Sequence, residues 1–143
     1  MKFNGLECNV DLLPDYYSVK DRAFDLIHID GEHSEIAALQ DLNFAQNNLA
    51  ELGIIVVDYI WHPLFPGVIS ATMKFIHGSR FVPFLSTQQN MYLSKEAAHE
   101  FHFKRAQTFF MDLDIPHSSG WLRGEANHKG VIAAYDQSNL IKG

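Results

Sequence analysis

Two apolar runs, residues 24–30 (FDLIHID) and 54–58 (IIVVD), are joined by residues 31–53, which carry a helical repeat. Leu26, Ile27 and Ile29 show little helical period, and IIVVD is continuous and β-branched. Each run therefore reads as a buried strand. Between them, Ser34 is placed as an N-cap and Glu35 falls in the first turn, where the helix dipole favours an acid. Ala38, Leu42, Ala45, Leu49 and Leu52 recur on one face. Gly53 reads as the C′ glycine that ends this helix. A strand, a helix and a second buried strand in this order are the unit of a parallel α/β sheet.

The pattern continues downstream. Residues 67–77 read as a second helix, with Val68, Thr72, Phe75 and Ile76 on one side. Residues 81–85 (FVPFL) read as a strand. Pro83 cannot donate to a ladder, so this strand is expected at a sheet edge. Residues 90–94 supply its antiparallel hairpin partner. Upstream, residues 3–8 read as a short strand and residues 11–17 as a helical turn. After Lys95 the signal weakens: residues 96–110 read as helical, residues 116–130 as irregular, and residues 131–143 have no assignment. The fold class is α/β, with a partial α/β domain over residues 1–95. Residues 96–143 form a partly helical, less regular extension packing on it.

Composition narrows the function classes. A chain of 143 residues with a net charge of −6 and one adjacent basic pair, Lys104-Arg105, lacks the basic stripe of a nucleic-acid binder. Its single cysteine, Cys8, cannot form an internal disulfide and fits a reducing, cytoplasmic setting. The first residues carry no secretory-type apolar run, and no stretch approaches the ~20 apolar residues that cross a bilayer. No nucleic-acid or membrane partner is expected.

Ligands of open parallel sheets bind beyond the carboxyl ends of the strands. Both runs end there in an acid, Asp30 and Asp58. His33 comes three residues after Asp30, Glu32 lies between them, and His62 sits in the loop after Asp58. Two carboxylates with a nearby imidazole suit a hard divalent cation such as Mg²⁺, with His33 as a base. The plainer alternative is that Asp30 and Asp58 cap the turns after their strands. His28, inside the first strand, reads as a hydrogen-bonded core histidine. His99 and His102 share a helical face, either chelating or, more simply, solvated. The phenylalanines at 101, 103, 109 and 110 read as anchors of the tail to the core.

The segments IDGEHS, LQDLNFA, LGIIVVDY and FPGVISATMKF resemble the C-terminal half of a class I S-adenosylmethionine-dependent methyltransferase. The subgroup marked by IDG-acid-HS, related to metal-dependent O-methyltransferases of the catechol type, is the most similar. The resemblance covers residues 6–95. It implies an incomplete Rossmann-like sheet containing the family's strands 4, 5, 7 and 6, with residues 6–14 matching the end of strand 3 and the segment after it. It also implies Asp30 and Asp58 as metal ligands and His33 as catalytic base. The family places a second Asp or Asn after the strand-5 acid. Here that position is Tyr59, a poor ligand for Mg²⁺.

The family binds its methyl donor through a Gly-rich loop on an earlier strand, and no Gly-x-Gly occurs in this sequence. The resemblance thus implies O-methyl transfer from S-adenosylmethionine to a small-molecule hydroxyl in a complete enzyme. This chain alone is expected to bind the donor weakly, and its cofactor-binding residues are unassigned. The alternative is a non-catalytic remnant or interaction module. A metal-dependent hydrolase is a third reading, lacking a full ligand set. If the family's strand 1 is absent, residues 24–30 form an open edge, and self-association or pairing with an N-terminal half is expected.

Overall fold

The computed structural model describes residues 2–3, 6–7, 23–112, 119–126 and 129–136. Two short strands, β1 (Lys2–Phe3) and β2 (Leu6–Glu7), form a small antiparallel ladder. The main sheet contains β3 (Phe24–Ile29), β4 (Leu49–Val57), β5 (Phe81–Ser86), β6 (Met91–Lys95), β7 (Ser119–Ala126) and β8 (Lys129–Asp136). Its order is β3-β4-β6-β5-β8-β7. β3 and β4 are parallel, whereas β6 runs antiparallel to both β4 and β5. Three helices accompany the sheet: α1 (Glu35–Asn48), α2 (Pro66–Gly78) and α3 (His99–Asp112).

Strand alternation splits the core in two. Ile29, Ile55, Val57, Phe81, Met91 and Leu93 pack against α1 and α2 through Ala38, Leu42, Ala45, Val68, Ala71, Phe75 and Ile76. The other face gathers Phe84 and Ile132 with Phe103 of α3, and Ile54, Leu85 and Tyr92 pack alongside. The result is an α/β/α arrangement in which the β3–β4 crossover and the β5–β6 hairpin stand as the sequence predicts.

Several expectations need correction. α1 ends at Asn48, and Leu49 already has extended backbone (φ −85°, ψ 134°). Gly53 lies inside β4, where the register with β3 shifts between the Phe24↔Leu49 and Leu26↔Ile54 pairs. A Cβ there would stand 2.6 Å from Leu49 Cγ and 2.9 Å from the Phe24 carbonyl, so the glycine serves close packing in a bulge. Leu52, freed from the helix, is exposed.

β5 is not an edge strand. β8 pairs with it in parallel at Leu85 and Ser86. Pro83 lies short of that pairing, and the register with β6 shifts immediately after it. A proline is tolerated at such an irregularity. Residues 119–126, expected to be irregular, pair along their length with residues 129–136. The residue 6–14 match to a strand of the main sheet also fails where it is described, because Leu6 and Glu7 belong to the separate ladder. Residues 8–14, and the helical turn expected at 11–17, lie outside the described residues.

Among the described residues, β3 pairs with one neighbour, β4. Leu26 is 59% exposed. His28, expected in the core, is also exposed, because β3 ends the sheet and no described helix covers that side of it. No helix among the described residues is long and apolar enough to cross a membrane.

His99 and His102 are neither solvated nor a chelating pair facing water: both are buried. His102 Nε2 lies 3.0 Å from the Leu52 carbonyl, so this nitrogen must donate, and the ring stacks on Phe84 at 5.2 Å. The histidine thereby ties α3 to the bulged start of β4. Of the phenylalanines, Phe103 is buried, while Phe101 is half-exposed under the Arg105 guanidinium and Phe109 is exposed.

Burial pushes the His102 pKa below its ordinary value. Arg105 and His99 add to this, and the Leu52 carbonyl opposes it. The unfolded chain then binds the extra proton more readily. Stability from this group is complete above the unfolded pKa of about 6.5 and falls as pH drops below it. Urea midpoints measured from pH 7 to 5 are expected to fall less in His102→Gln than in the native chain. Equal slopes would contradict this origin.

Candidate functional site

The site begins with register. Ile29 and Val57 are paired in the parallel ladder, and Asp58 N–H donates to the Ile29 carbonyl at 3.0 Å. Asp30 and Asp58 therefore leave neighbouring strands side by side at their carboxyl ends. His33 returns toward this point: its Nε2 is 3.7 Å from Asp30 Oδ1. That is longer than a hydrogen bond. The nitrogen is shielded from solvent and has no hydrogen-bond partner among the described residues. Glu32 is exposed.

Helix α1 fixes this segment. Ser34 Oγ accepts from Ala37 N–H at 3.3 Å, and the Ser34 carbonyl accepts from Ala38 N–H at 3.0 Å. Glu35 pairs with Lys74 of α2. The lysine hydrogen bond, then one from Ser70, hold the Glu35 carboxyl below its usual range. Gly67, after Pro66 in the first turn of α2, brings the two helix starts together. A Cβ on it would stand 2.6 Å from Glu35 N and 3.1 Å from the His33 carbonyl.

The loop after β4 completes the site with rings. His33 stacks on Phe65 at 4.2 Å and meets the edge of Tyr59 at 4.8 Å. His62 stacks on the Phe65 ring at 4.8 Å and packs edge-on to Tyr59 at 5.5 Å. Tyr59 has φ 54°, an uncommon left-handed conformation for an aromatic residue. Its N–H donates to Asp58 Oδ1 at 2.8 Å. Trp61 Nε1 donates to Ser86 Oγ at 3.0 Å, while Leu64 is exposed. The stacking of Phe65 on His33 has no periodic signature, because it joins two loops across the crossover.

Two cavities flank these groups. One of about 380 Å³ runs along the open side of β3, lined by Ile27, His28, Ile29, Asp30, Gly31, Asp41 and Phe44. Asp41 is thus half-buried, with Oδ2 3.2 Å from where a Gly31 Cβ would stand. The other, about 260 Å³, is lined by Tyr59, Trp61, His62, Pro63, Gln88 and Gln89. A larger depression of about 910 Å³ lies away from the strand carboxyl ends, around Arg80, Lys95 and Glu100. Its charges are partly paired, as in Lys95–Glu51 at 3.1 Å, and it lacks a histidine or an aromatic array.

Residues 7–60 match the family model described as Methyltransferase domain. The methyltransferase match contains Asp30, His33, Asp58 and Tyr59, and it supports methyl transfer as the general chemistry of this region. His62 and Phe65 lie beyond it. No curated protein matches the chain, and no solved structure does.

A divalent cation does not fit the residues present. No group of three His, Cys, Asp or Glu side chains among the described residues could hold one. Asp58 Oδ1 already serves the Tyr59 N–H, which is the turn-capping role of the plainer alternative. Mg²⁺ demands near-octahedral oxygen coordination, and Tyr59 and Phe65, whose rings pack on His33, add no carboxylate or carbonyl side chain to it.

Proposed function

We propose that this crevice serves O-methyl transfer from S-adenosylmethionine to a hydroxyl of a small molecule, with His33 as the base. The observation that carries this reading is that β3 and β4 end side by side in Asp30 and Asp58, with His33 Nε2 3.7 Å from Asp30, inside the matched methyltransferase stretch. The strand sequence β3-β4-β6-β5, with β6 antiparallel, also corresponds to the order 4-5-7-6 expected from the resemblance.

In this reading Asp30 faces His33 Nε2 and holds the ring with that nitrogen protonated, leaving Nδ1 to accept the hydroxyl proton. An Asp partner on one ring nitrogen sets the tautomer in this way. The 3.7 Å separation shortens when the acceptor docks, as catalytic hydrogen bonds commonly do. The small cavity beyond Tyr59 suits the acceptor. Tyr59, Trp61 and His62 give it aromatic walls, and Pro63, Gln88 and Gln89 complete its lining. Such a lining selects a compact, planar, hydroxylated compound.

The donor's sulfonium supplies the methyl group, and the chain's task is to hold donor and acceptor in attack geometry. The cleft beside β3 suits the donor: Gly31 keeps its wall low, and Asp30 and Asp41 place negative charge near a cationic ligand. Without a Gly-x-Gly turn the affinity is expected to be weak. The test is to incubate the chain with millimolar S-adenosylmethionine carrying an isotopic methyl group and a panel of small phenols and alcohols. Labelled methyl ether is the expected product. No labelled ether from any acceptor at saturating donor would contradict the proposal.

A further inference from the structure

His33 would need to be held in one plane to act at one atom. In a site built on two carboxylates a cation could do this, but no group of three ligating side chains stands among the described residues. The constraint comes from rings instead. Phe65 covers one face of the imidazole at 4.2 Å with an interplanar angle of 18°, and Tyr59 meets it edge-on at 83°. Tyr59 reaches this place from a left-handed backbone conformation, φ 54°. Bulky residues avoid that region, and where it persists the surroundings enforce it. The Asp58 carboxylate contributes by accepting the Tyr59 N–H at 2.8 Å. Asp58 thus acts on the backbone of the residue that packs against the base.

We propose that Tyr59 and Phe65 form an aromatic clamp that orders the Asp30–His33 unit in place of a divalent cation. Tyr59 and Phe65 are positioning residues, and Asp58 positions Tyr59. This rests on reading the crevice as the reacting site, but the chemistry it predicts is open to measurement without any turnover. The side chain at position 59 decides whether the crevice holds metal. An aspartate there would add a third carboxylate beside Asp30 and Asp58. It would also relieve the backbone, because Asp visits the left-handed region more readily than Tyr.

The experiment is titration calorimetry with MgCl₂ and MnCl₂, joined to NMR of the His33 ring. The native chain is expected to show no saturable binding at millimolar metal, whereas Tyr59→Asp gains it and loses it again when Asp30→Asn is added. The His33 ring protons are expected to show ring-current shifts that persist in Tyr59→Phe and diminish in Tyr59→Ala, with circular dichroism unchanged. Saturable metal binding by the native chain that is lost in Asp30→Asn would overturn the inference. So would a Tyr59→Asp chain that still fails to bind, or His33 resonances indifferent to Tyr59→Ala. None of these readouts uses methyl transfer, so failure of the proposed reaction would leave them independent.

Discussion

Replacing Gly67 by alanine is expected to destabilise the chain by about 1–3 kcal/mol, the range for overpacking a well-filled interior. Helix propensity alone predicts the opposite sign, since Ala exceeds Gly by about 1 kcal/mol within a helix. Geometry decides between them. The new methyl group would fall 2.6 Å from Glu35 N, 3.1 Å from the Ser34 carbonyl carbon and 3.1 Å from the His33 carbonyl oxygen. These are backbone atoms at the start of α1, and no side-chain rotation removes them. The helix starts must separate, and His33 moves with its own carbonyl. A displacement of about 1 Å at a reacting group can cost about 10²-fold in rate. Urea unfolding of Gly67→Ala tests the first effect, and the His33–Phe65 ring-current shift tests the second. Unchanged or increased stability would contradict the close approach of α1 and α2.

The residues that the sequence made legible are those whose partners are set by local period. β3, α1, β4 and α2 are readable from β-branched runs and from apolar positions such as Ala38, Leu42 and Ala45, all of which are buried. Ser34 is readable from N-cap chemistry. Gly53 reads as a helix stop although it lies in a strand bulge, because one residue type serves both positions; only the nearness of Phe24 and Leu49 distinguishes them. The β7–β8 hairpin was hidden because SGWLRGEA has no clean alternation, and its placement depends on β5 offering a pairing edge at Leu85 and Ser86. His99 and His102 read as surface residues because their burial depends on which face of α3 docks on Phe84.

The site shows the same division. Asp30 and Asp58 are legible because each ends a strand, and parallel register then places them together. The orientation of Asp58 is not legible, since its acceptance of the Tyr59 N–H depends on a left-handed residue that no pattern announces. The stacking of His33 between loops depends on Gly67 allowing two helix starts to touch. The motif Phe-Pro-Gly at 65–67 carries the signal in retrospect: a ring, a helix-starting proline and a residue without a side chain, each with a separate role.

In the proposed reaction His33 removes the acceptor proton in a crevice shared by Asp30 and Asp58. The most direct measurement compares single-turnover methyl transfer by the native chain and His33→Ala at saturating donor and acceptor, using the best acceptor from the labelled panel. General-base catalysis contributes about 10²–10⁴-fold, so the substitution is expected to lower the rate by that factor. Truncation also removes the face that stacks on Phe65, so His33→Gln serves as a bulkier control and is expected to be equally slow. Both variants should retain the native circular dichroism spectrum, because His33 lies in a loop outside the two core clusters. A His33→Ala chain that is folded and transfers methyl groups at the native rate would contradict the account.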